Sequence, residues 1–287
     1  MIRFVNAKLN LGLNIIRKRE DGYHELETLF YPVSLYNGTP ANPEPFCDIL
    51  EVCRSDSGSD EFAFTGNRID CPPEKNLVWK ALSAFREATG VKGYYKIDLD
   101  KHIPDGAGLG GGSADATFTL SALNSLEGEI LDSDELKAIA VRLGADCPFF
   151  VENRPVFASG IGEIMRPADV SLKGFWALIV KPDVYISTRE AFAGITPKIP
   201  EIPIPDIVSH PVEEWCQRGL KNDFEPHIFA AHPELSEIKA CLYSEGALYA
   251  SMSGSGSSIF GIYKEKDSAE RAAESFKNRH RVFLCLL

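Results

Sequence analysis

Pro104 to Ala116 reads PDGAGLGGGSADA, with five glycines between Gly106 and Gly112. It follows an alternating, strand-like segment, Tyr94 to Leu99, and opens onto a helix-like one, Ser113 to Ser125. Glycine removes the side chains that would stop backbone N–H groups from closing around an anion. A helix N-terminus adds a partial positive charge aimed at the same place. The stretch is therefore a candidate phosphate cradle, and a phosphate cradle implies a nucleotide. The alternative is a tight turn whose glycines serve packing alone. Five glycines, each costly in chain entropy, favour the cradle.

Outward from the loop, short strands and helices alternate irregularly. Phe4 to Ile16 is expected to be one strand, with Leu9, Leu11, Leu13 and Ile15 on one face and Lys8, Asn10 and Asn14 on the other. A charged turn, Arg17 to Gly22, leads to a second apolar strand, Tyr23 to Leu35, and Asn37 to Pro45 is a turn-rich loop. Asp48 to Arg54 and Phe62 to Thr65 read as strands, and Asn76 to Thr89 as a helix stopped by Gly90. A helix over Ser133 to Leu143, capped by Ser133, precedes expected strands at Cys147 to Val151 and Val156 to Ser159. Beyond Gly160 come a buried strand, Phe175 to Val180, and a short helix, Thr188 to Ala193. Pro197 to Pro211 holds five prolines and is expected to be a surface loop. Helices are expected at Glu213 to Gly219, Asn222 to Phe229, Glu234 to Ser244 and Ser268 to Asn278. Strands Leu248 to Ser251, Ser258 to Tyr263 and Arg281 to Leu286 complete an α+β chain. The 287 residues suggest two domains, 1–160 and 161–287.

A formal net charge of -11 argues against a general nucleic-acid binder, while leaving room for a local basic pocket. Seven cysteines without a CxxC pair fit reduced thiols better than a disulfide framework. No signal-peptide pattern and no bilayer-length apolar run is visible, so a cytoplasmic protein without a membrane partner is expected. The six histidines show no HxH or HExxH spacing, so no protein-built metal site is expected.

Two common phosphate motifs fail on inspection. No Gly-Lys pair exists to make a GxxxxGK[ST] loop. Gly106 to Gly111 matches GxGxxG by letter, but the acidic residue due about 20 positions on would fall in a polar loop, Glu127 to Glu135, not at a strand end.

Other residues carry chemistry. Asp146 follows the helix that ends at Gly144 and sits beside Cys147, Phe149 and Phe150, where a carboxylate is costly unless paired or used. Read from the residues alone, Lys8 and Asp146 are either a structural ion pair or a catalytic one. Lys101, three residues before Pro104, is either a phosphate contact or a solvated charge at a strand end. Ser113 is placed to donate to a phosphate or to help hold its metal. Asn76 either caps its helix or touches the nucleotide.

The loop, together with the Gly/Ser run Ser251 to Ser257 (SMSGSGS), resembles the galactokinase, homoserine kinase, mevalonate kinase and phosphomevalonate kinase (GHMP) superfamily. AKLNLGLNIIRKREDGYHELETLF (Ala7 to Phe30), LGADCPFF (Leu143 to Phe150) and LKNDFEPHIF (Leu220 to Phe229) resemble its branch that acts on a cytidine-diphosphate-linked methylerythritol. That resemblance implies a two-domain kinase. The N-terminal, ATP-binding half would have a ribosomal protein S5 domain 2-like fold, and the C-terminal half a ferredoxin-like sandwich. It implies ATP as donor, with Mg2+ arriving on ATP, and a small-molecule acceptor. It implies that ATP is held by Asn76, Lys101, Pro104, Asp105, Gly106, Ala107, Gly108, Leu109, Gly110, Gly111, Gly112, Ser113 and Ala114. Asp146 becomes the base and Lys8 its partner. Tyr23 would stack on the cytosine and His24 meet its edge, with Phe192 covering the other face and Thr188 bonding nearby, and Asn10 would bond the polyol. The protein is expected to be a monomer or a weak homodimer. The rival readings are another kinase of the superfamily, acting on homoserine, mevalonate or a sugar, and a nucleotide-binding module without chemistry. Asp21-Gly22-Tyr23-His24 argues against the first, and intact Lys8 and Asp146 against the second.

Overall fold

The computed structural model describes residues 1–33, 46–67 and 71–287. The expected turn-rich loop from Asn37 to Pro45 and the end of the second strand, Ser34 and Leu35, lie outside the described residues. In chain order the first elements are β1 (Ile2–Val5), β2 (Lys8–Lys18), β3 (His24–Pro32), β4 (Asp48–Ser55) and β5 (Glu61–Gly66). Then come α1 (Leu77–Thr89), β6 (Tyr94–Lys101), α2 (Gly111–Leu126), α3 (Ser133–Leu143) and α4 (Phe149–Glu152). They are followed by β7 (Val156–Ser159), β8 (Ile164–Pro167), β9 (Trp176–Lys181), α5 (Thr188–Ala193), α6 (Ile204–Val208) and α7 (Val212–Trp215). α8 (Glu225–Ala231), α9 (Pro233–Ser244), β10 (Tyr249–Met252), β11 (Ile259–Tyr263), α10 (Lys266–Phe276) and β12 (Arg281–Leu286) complete the series. The class is α+β, as expected.

Packing divides the chain into two compact units that interleave in sequence. One comprises Met1–Ala7, Pro45–Asp105 and Gly110–Arg154; the other comprises Lys8–Glu44, Gly106–Leu109 and Pro155–Leu287. The first unit holds a mixed sheet of order β1-β4-β6-β5, in which only β5 and β6 run parallel, with α1 to α4 packed among themselves and on it. The second holds two antiparallel sheets, β2-β3-β7-β8 and β10-β11-β9-β12. From β9 onward the order strand, helices, two strands, helix, strand, with β9 and β11 central, is the ferredoxin-like arrangement. Leu13 and Ile15 of β2 join Leu178, Val180, Met252, Ile259 and Leu284 in one buried cluster. That shared core is why the described part of this segment, residues 8–33, packs with β9 to β12.

Several expectations need correction. The single strand over Phe4 to Ile16 breaks at Asn6 and Ala7, where Asn6 exchanges two side-chain hydrogen bonds with Asn153 (3.1 and 2.7 Å). Its expected two-faced alternation fails as well, because Gly12 (φ +74°) makes a register shift and every residue from Lys8 to Ile15 is buried. Cys147 to Val151 is not a strand; Pro148, with φ near -58°, starts the short helix α4. An apolar run this short fits either element. α6 interrupts the proline-rich stretch, with a proline at its first turn where no N–H is needed. β8 was not foreseen, since its residues are largely exposed and lack alternation.

The cap of α3 is Asp132 and not Ser133. Asp132 accepts from the Asp134 and Glu135 amides, and Glu135 accepts from the Asp132 amide, a complete capping box. Asp132→Ala is expected to destabilise the protein by about 1 kcal/mol, read as a lower urea midpoint at an unchanged slope.

Candidate active site

Packing divides Pro104 to Ala114 between the two units. In the second unit, Gly106 to Leu109 forms the first half of the loop. Its carbonyls are fixed. Ser253 Oγ donates to Gly108 O (2.8 Å), the Ser258 amide to Ala107 O (3.2 Å) and the Lys8 amide to Leu109 O (2.9 Å). With the carbonyls turned inward, the backbone is free to present N–H groups on its other side. Gly106 and Gly108 both have positive φ, +59° and +73°. A Cβ at Gly108 would overlap the Ser253 carbonyl oxygen, so glycine is required there twice over.

Lys8 opens β2 beside this half-loop. Its ammonium is buried, donates to Asn10 Oδ1 (2.6 Å), lies 3.5 Å from Gly108 O and sits 4.7 Å over the Phe30 ring. Asn10 in turn donates to Thr28 Oγ1 (3.1 Å), which donates to Gly12 O (2.6 Å), and the Asn10 amide donates to Ser253 Oγ (3.3 Å). The strand thus delivers an ammonium to the loop by a chain of polar contacts. Thr28 and Ser253 were not among the expected residues; only the Gly/Ser run signalled Ser253.

In the first unit, Gly110 (φ +72°) precedes α2, and Gly111 and Gly112 are already helical. No side chain caps this 16-residue helix and its first turn holds no acid, so its leading N–H groups are left for another acceptor. Pro104 and Ala114 are buried and Asp105 is exposed. Ser113 is half-buried in the first turn of α2, and a Cβ at Gly144 would lie 3.8 Å from its Oγ. Thr117 of α2 donates to both Ser113 O and Cys147 O (2.9 Å each). That bond ties the turn carrying Asp146 to the helix that begins at the loop. Asp146 itself is half-buried. Burial pushes the neighbouring Cys147 thiol up to about 11, against the hydrogen bond from Ser113 and with help from the charge of Asp146. Cys147 is therefore an unreactive thiol at neutral pH.

Lys101 is not a solvated strand-end charge. It is 3% exposed and its ammonium binds Asp48 and, at 2.8 Å, Asp115. Asp48 also accepts from the His102 and Ile103 amides (2.6 and 2.8 Å). Burial alone would pull the Lys101 ammonium down; Asp115 and Asp48 outweigh it and hold it above its ordinary value. Burial raises the Asp115 carboxyl despite Lys101, and its Oδ1 has no partner among the described residues. The three side chains lock the end of β6 to α2 under the helix start, and a Cβ at Gly111 would meet Lys101 Nζ and Ile103 Cγ2, each at 2.9 Å. No local pattern in the sequence announced Asp48 or Asp115.

Asn76 takes its capping role: its side chain accepts from the Val78 amide (2.9 Å). In the second unit His24 and Phe192 stack on one another, rings 4.8 Å apart at 20°, and Phe224 meets Phe192 edge-on. That spacing leaves no room for a third ring between His24 and Phe192. Tyr23 is 61% exposed, and Thr188 is exposed at the start of α5. Burial, with Lys18 nearby, holds the His24 imidazole below its usual value, so it is neutral at pH 7. Among the described residues no group of three or more His, Cys, Asp or Glu side chains is arranged to hold a metal ion, and no helix is long and apolar enough to cross a membrane.

In one unit a glycine half-loop with fixed carbonyls lies beside a buried ammonium, and in the other an uncapped helix start leaves its N–H groups available; each suits phosphate binding. The GHMP kinases N terminal domain matches residues 76–154, and the GHMP kinases C terminal domain matches residues 210–281. The chain belongs to the GHMP kinase family. It is 49% identical over 265 residues to the 4-diphosphocytidyl-2-C-methyl-D-erythritol kinase of Parabacteroides distasonis, covering 92% of each chain. The enzyme of the same name from Bacteroides thetaiotaomicron is 49% identical over 266 residues, again with 92% of each covered. A crystal structure of 4-(cytidine 5'-diphospho)-2C-methyl-D-erythritol kinase superposes with a TM-score of 0.80 at 35% identity, over the whole of both chains. A homoserine kinase from Cytophaga hutchinsonii, at 19% identity and TM-score 0.71 over 100% of this chain and 95% of its own, shares the fold.

Two outcomes test the two half-sites separately. Lys101→Met leaves two carboxylates buried without their cation and is expected to cost about 3–5 kcal/mol, measured by urea unfolding. Gly108→Ala forces a side chain onto the Ser253 carbonyl at a positive φ and is expected to raise the KM for ATP while lowering the melting temperature.

Proposed function

We propose that this protein is an ATP-dependent kinase that transfers the γ-phosphate to the 2-hydroxyl of 4-diphosphocytidyl-2-C-methyl-D-erythritol, a step of non-mevalonate isoprenoid synthesis. The observation that carries the reading is 49% identity along 92% of both chains with relatives named for that kinase. The chemistry follows from the residues. ATP lies against the glycine loop, Pro104 to Ala114, with its phosphates on the uncapped start of α2 and with Ser113 as a further donor. Mg2+ arrives with ATP and supplies charge relief at the transferring group; the protein groups do the rest.

Asp146 takes the proton from the acceptor hydroxyl as the γ-phosphate is transferred. Its anchorage to α2 through Thr117 fixes it relative to the phosphate end of the helix. Lys8, desolvated and hydrogen-bonded to Asn10, stabilises the charge that develops in transfer. Asn10 meets the polyol from the same strand. Tyr23 stacks on the cytosine and His24 meets its edge, with Phe192 backing His24 and Thr188 at the rim. Lys101 and Asn76 serve the ATP site from behind, one by holding β6 to α2 and the other by setting the start of α1. An N-terminal ATP-binding domain, 1–160, and a C-terminal domain, 161–287, complete this reading. So does a cytoplasmic monomer or weak homodimer with no nucleic-acid or membrane partner.

Purified protein with ATP, magnesium and a panel of acceptors tests it. The cytidyl substrate is expected to be phosphorylated; turnover of mevalonate or homoserine in its place overturns the assignment. Asp146→Asn is expected to lose at least about a hundredfold in kcat while still binding ATP, and near-normal turnover removes Asp146 from the base role. His24 carries a pH signature. Burial holds it below its ordinary value, so the KM for the cytidyl acceptor is expected to stay flat around neutrality and to rise only in acid, as the ring gains a proton. A His24→Gln variant flattens that rise.

A further inference from the structure

Tyr185 is 73% exposed, yet it is held in place from both sides. The carbonyl of Val184, one residue before it, accepts from Lys181 Nζ (3.0 Å) and Ser257 Oγ (2.5 Å). Ile186, one residue after it, is 3% exposed in the core cluster, and its Cδ1 packs against Gly256, 3.0 Å from where a Cβ there would stand. Ser257 belongs to the same Gly/Ser run whose Ser253 and Ser258 fix the carbonyls of the glycine loop. The connector 182–187, the Gly/Ser run and the loop are therefore one hydrogen-bonded assembly within the second unit. Tyr185 is the large aromatic side chain that assembly leaves outside.

The ring is laid on the loop itself. A Cβ on Gly106 would lie 2.9 Å from Tyr185 Cε2 and 3.1 Å from Cδ2, so the edge of the ring fills the space that Gly106 leaves empty. The phenolic carbon is bonded to Cε2, so the hydroxyl it bears is next to the ring edge that meets Gly106. A tyrosine set this way has an apolar body against the backbone and a polar tip in water. The backbone on both sides of it is anchored before any ligand arrives, which lowers the ordering cost of a hydrogen bond from the hydroxyl.

We propose that Tyr185 is a further nucleotide-binding residue, whose hydroxyl donates to a phosphate oxygen of a nucleotide held at Gly106. Two phosphates of the reaction present that chemistry, the triphosphate of the donor and the diphosphate of the cytidyl acceptor. The proposal rests on reading the glycine loop as a phosphate site. It adds a residue that lies outside the loop and outside the aromatic group at His24.

Tyr185→Phe keeps the ring on Gly106 and removes the hydroxyl. In the full-length protein it is expected to raise one of two constants about tenfold, the worth of a hydrogen bond to a charged oxygen, with kcat within about twofold. A rise in the KM for ATP assigns the contact to the donor; a rise in the KM for the acceptor assigns it to the acceptor. Calorimetric titration with MgADP and with cytidine diphosphate reads the same two arms without turnover. The contact can therefore be measured even if the cytidyl compound proves not to be the substrate. Wild-type constants in Tyr185→Phe on both arms overturn the proposal, including the case where Tyr185→Ala alone weakens binding, because the ring then only supports Gly106. Failure of the wild-type protein to bind either nucleotide overturns it together with the loop reading.

Discussion

The constraint on which the rest of the site depends is the fixing of backbone carbonyls in the glycine loop. A loop of five glycines has many conformations, and only one face of one of them offers N–H groups to phosphate. Ser253 Oγ, the Ser258 amide and the Lys8 amide each take one carbonyl out of play. Three elements are thereby set by one requirement: β2 must start where Lys8 can donate, and the β10–β11 hairpin must carry small residues that come close. Bulk at Gly108 is excluded for the same reason. The closeness of that approach explains why glycine and serine, residues that pack little, stand at the centre of a buried region.

The other end of the loop is fixed by charge. Lys101 sits in the interior between Asp48 and Asp115, where removing the lysine leaves the buried acids without their cation. Such a cluster contributes little net stability compared with an apolar core, but it admits one arrangement of β6 and α2. A helix that must aim its first amides at a ligand benefits from that restriction more than from extra stability.

Much of this was legible in the sequence, for physical reasons. The glycine run announced a tight, closely approached loop, because Gly106, Gly108 and Gly110 take positive φ and a Cβ at Gly108 would overlap the Ser253 carbonyl. The periodicity of α1, α2 and α9 and the apolar runs of β9 and β11 announced the α+β class. What stayed hidden depended on contacts between distant segments. Asp48 looks like any strand residue until Lys101 is folded onto it. Asp132 was passed over in favour of its neighbour Ser133 because both are good caps, and only the reach of Glu135 decides between them. Pro148 turned an apolar stretch from strand to helix. The interleaving of the two packing units has no local signature at all, since it records only that Leu13 and Ile15 share a core with residues beyond position 175.

That interleaving orders events during synthesis. β2, which bears Lys8, leaves the ribosome early, but the sheet it shares with β3 needs β7 and β8, and its core needs β9 to β12. Residues 45–105 and 110–154 can collapse around their own sheet while β2 is still waiting for partners. An apolar strand in that position is exposed for most of translation, a long interval for a segment able to pair with another chain. Lys8, Asn10 and Asn14 are the polar groups spaced along that otherwise apolar strand, buried once its partners are in place.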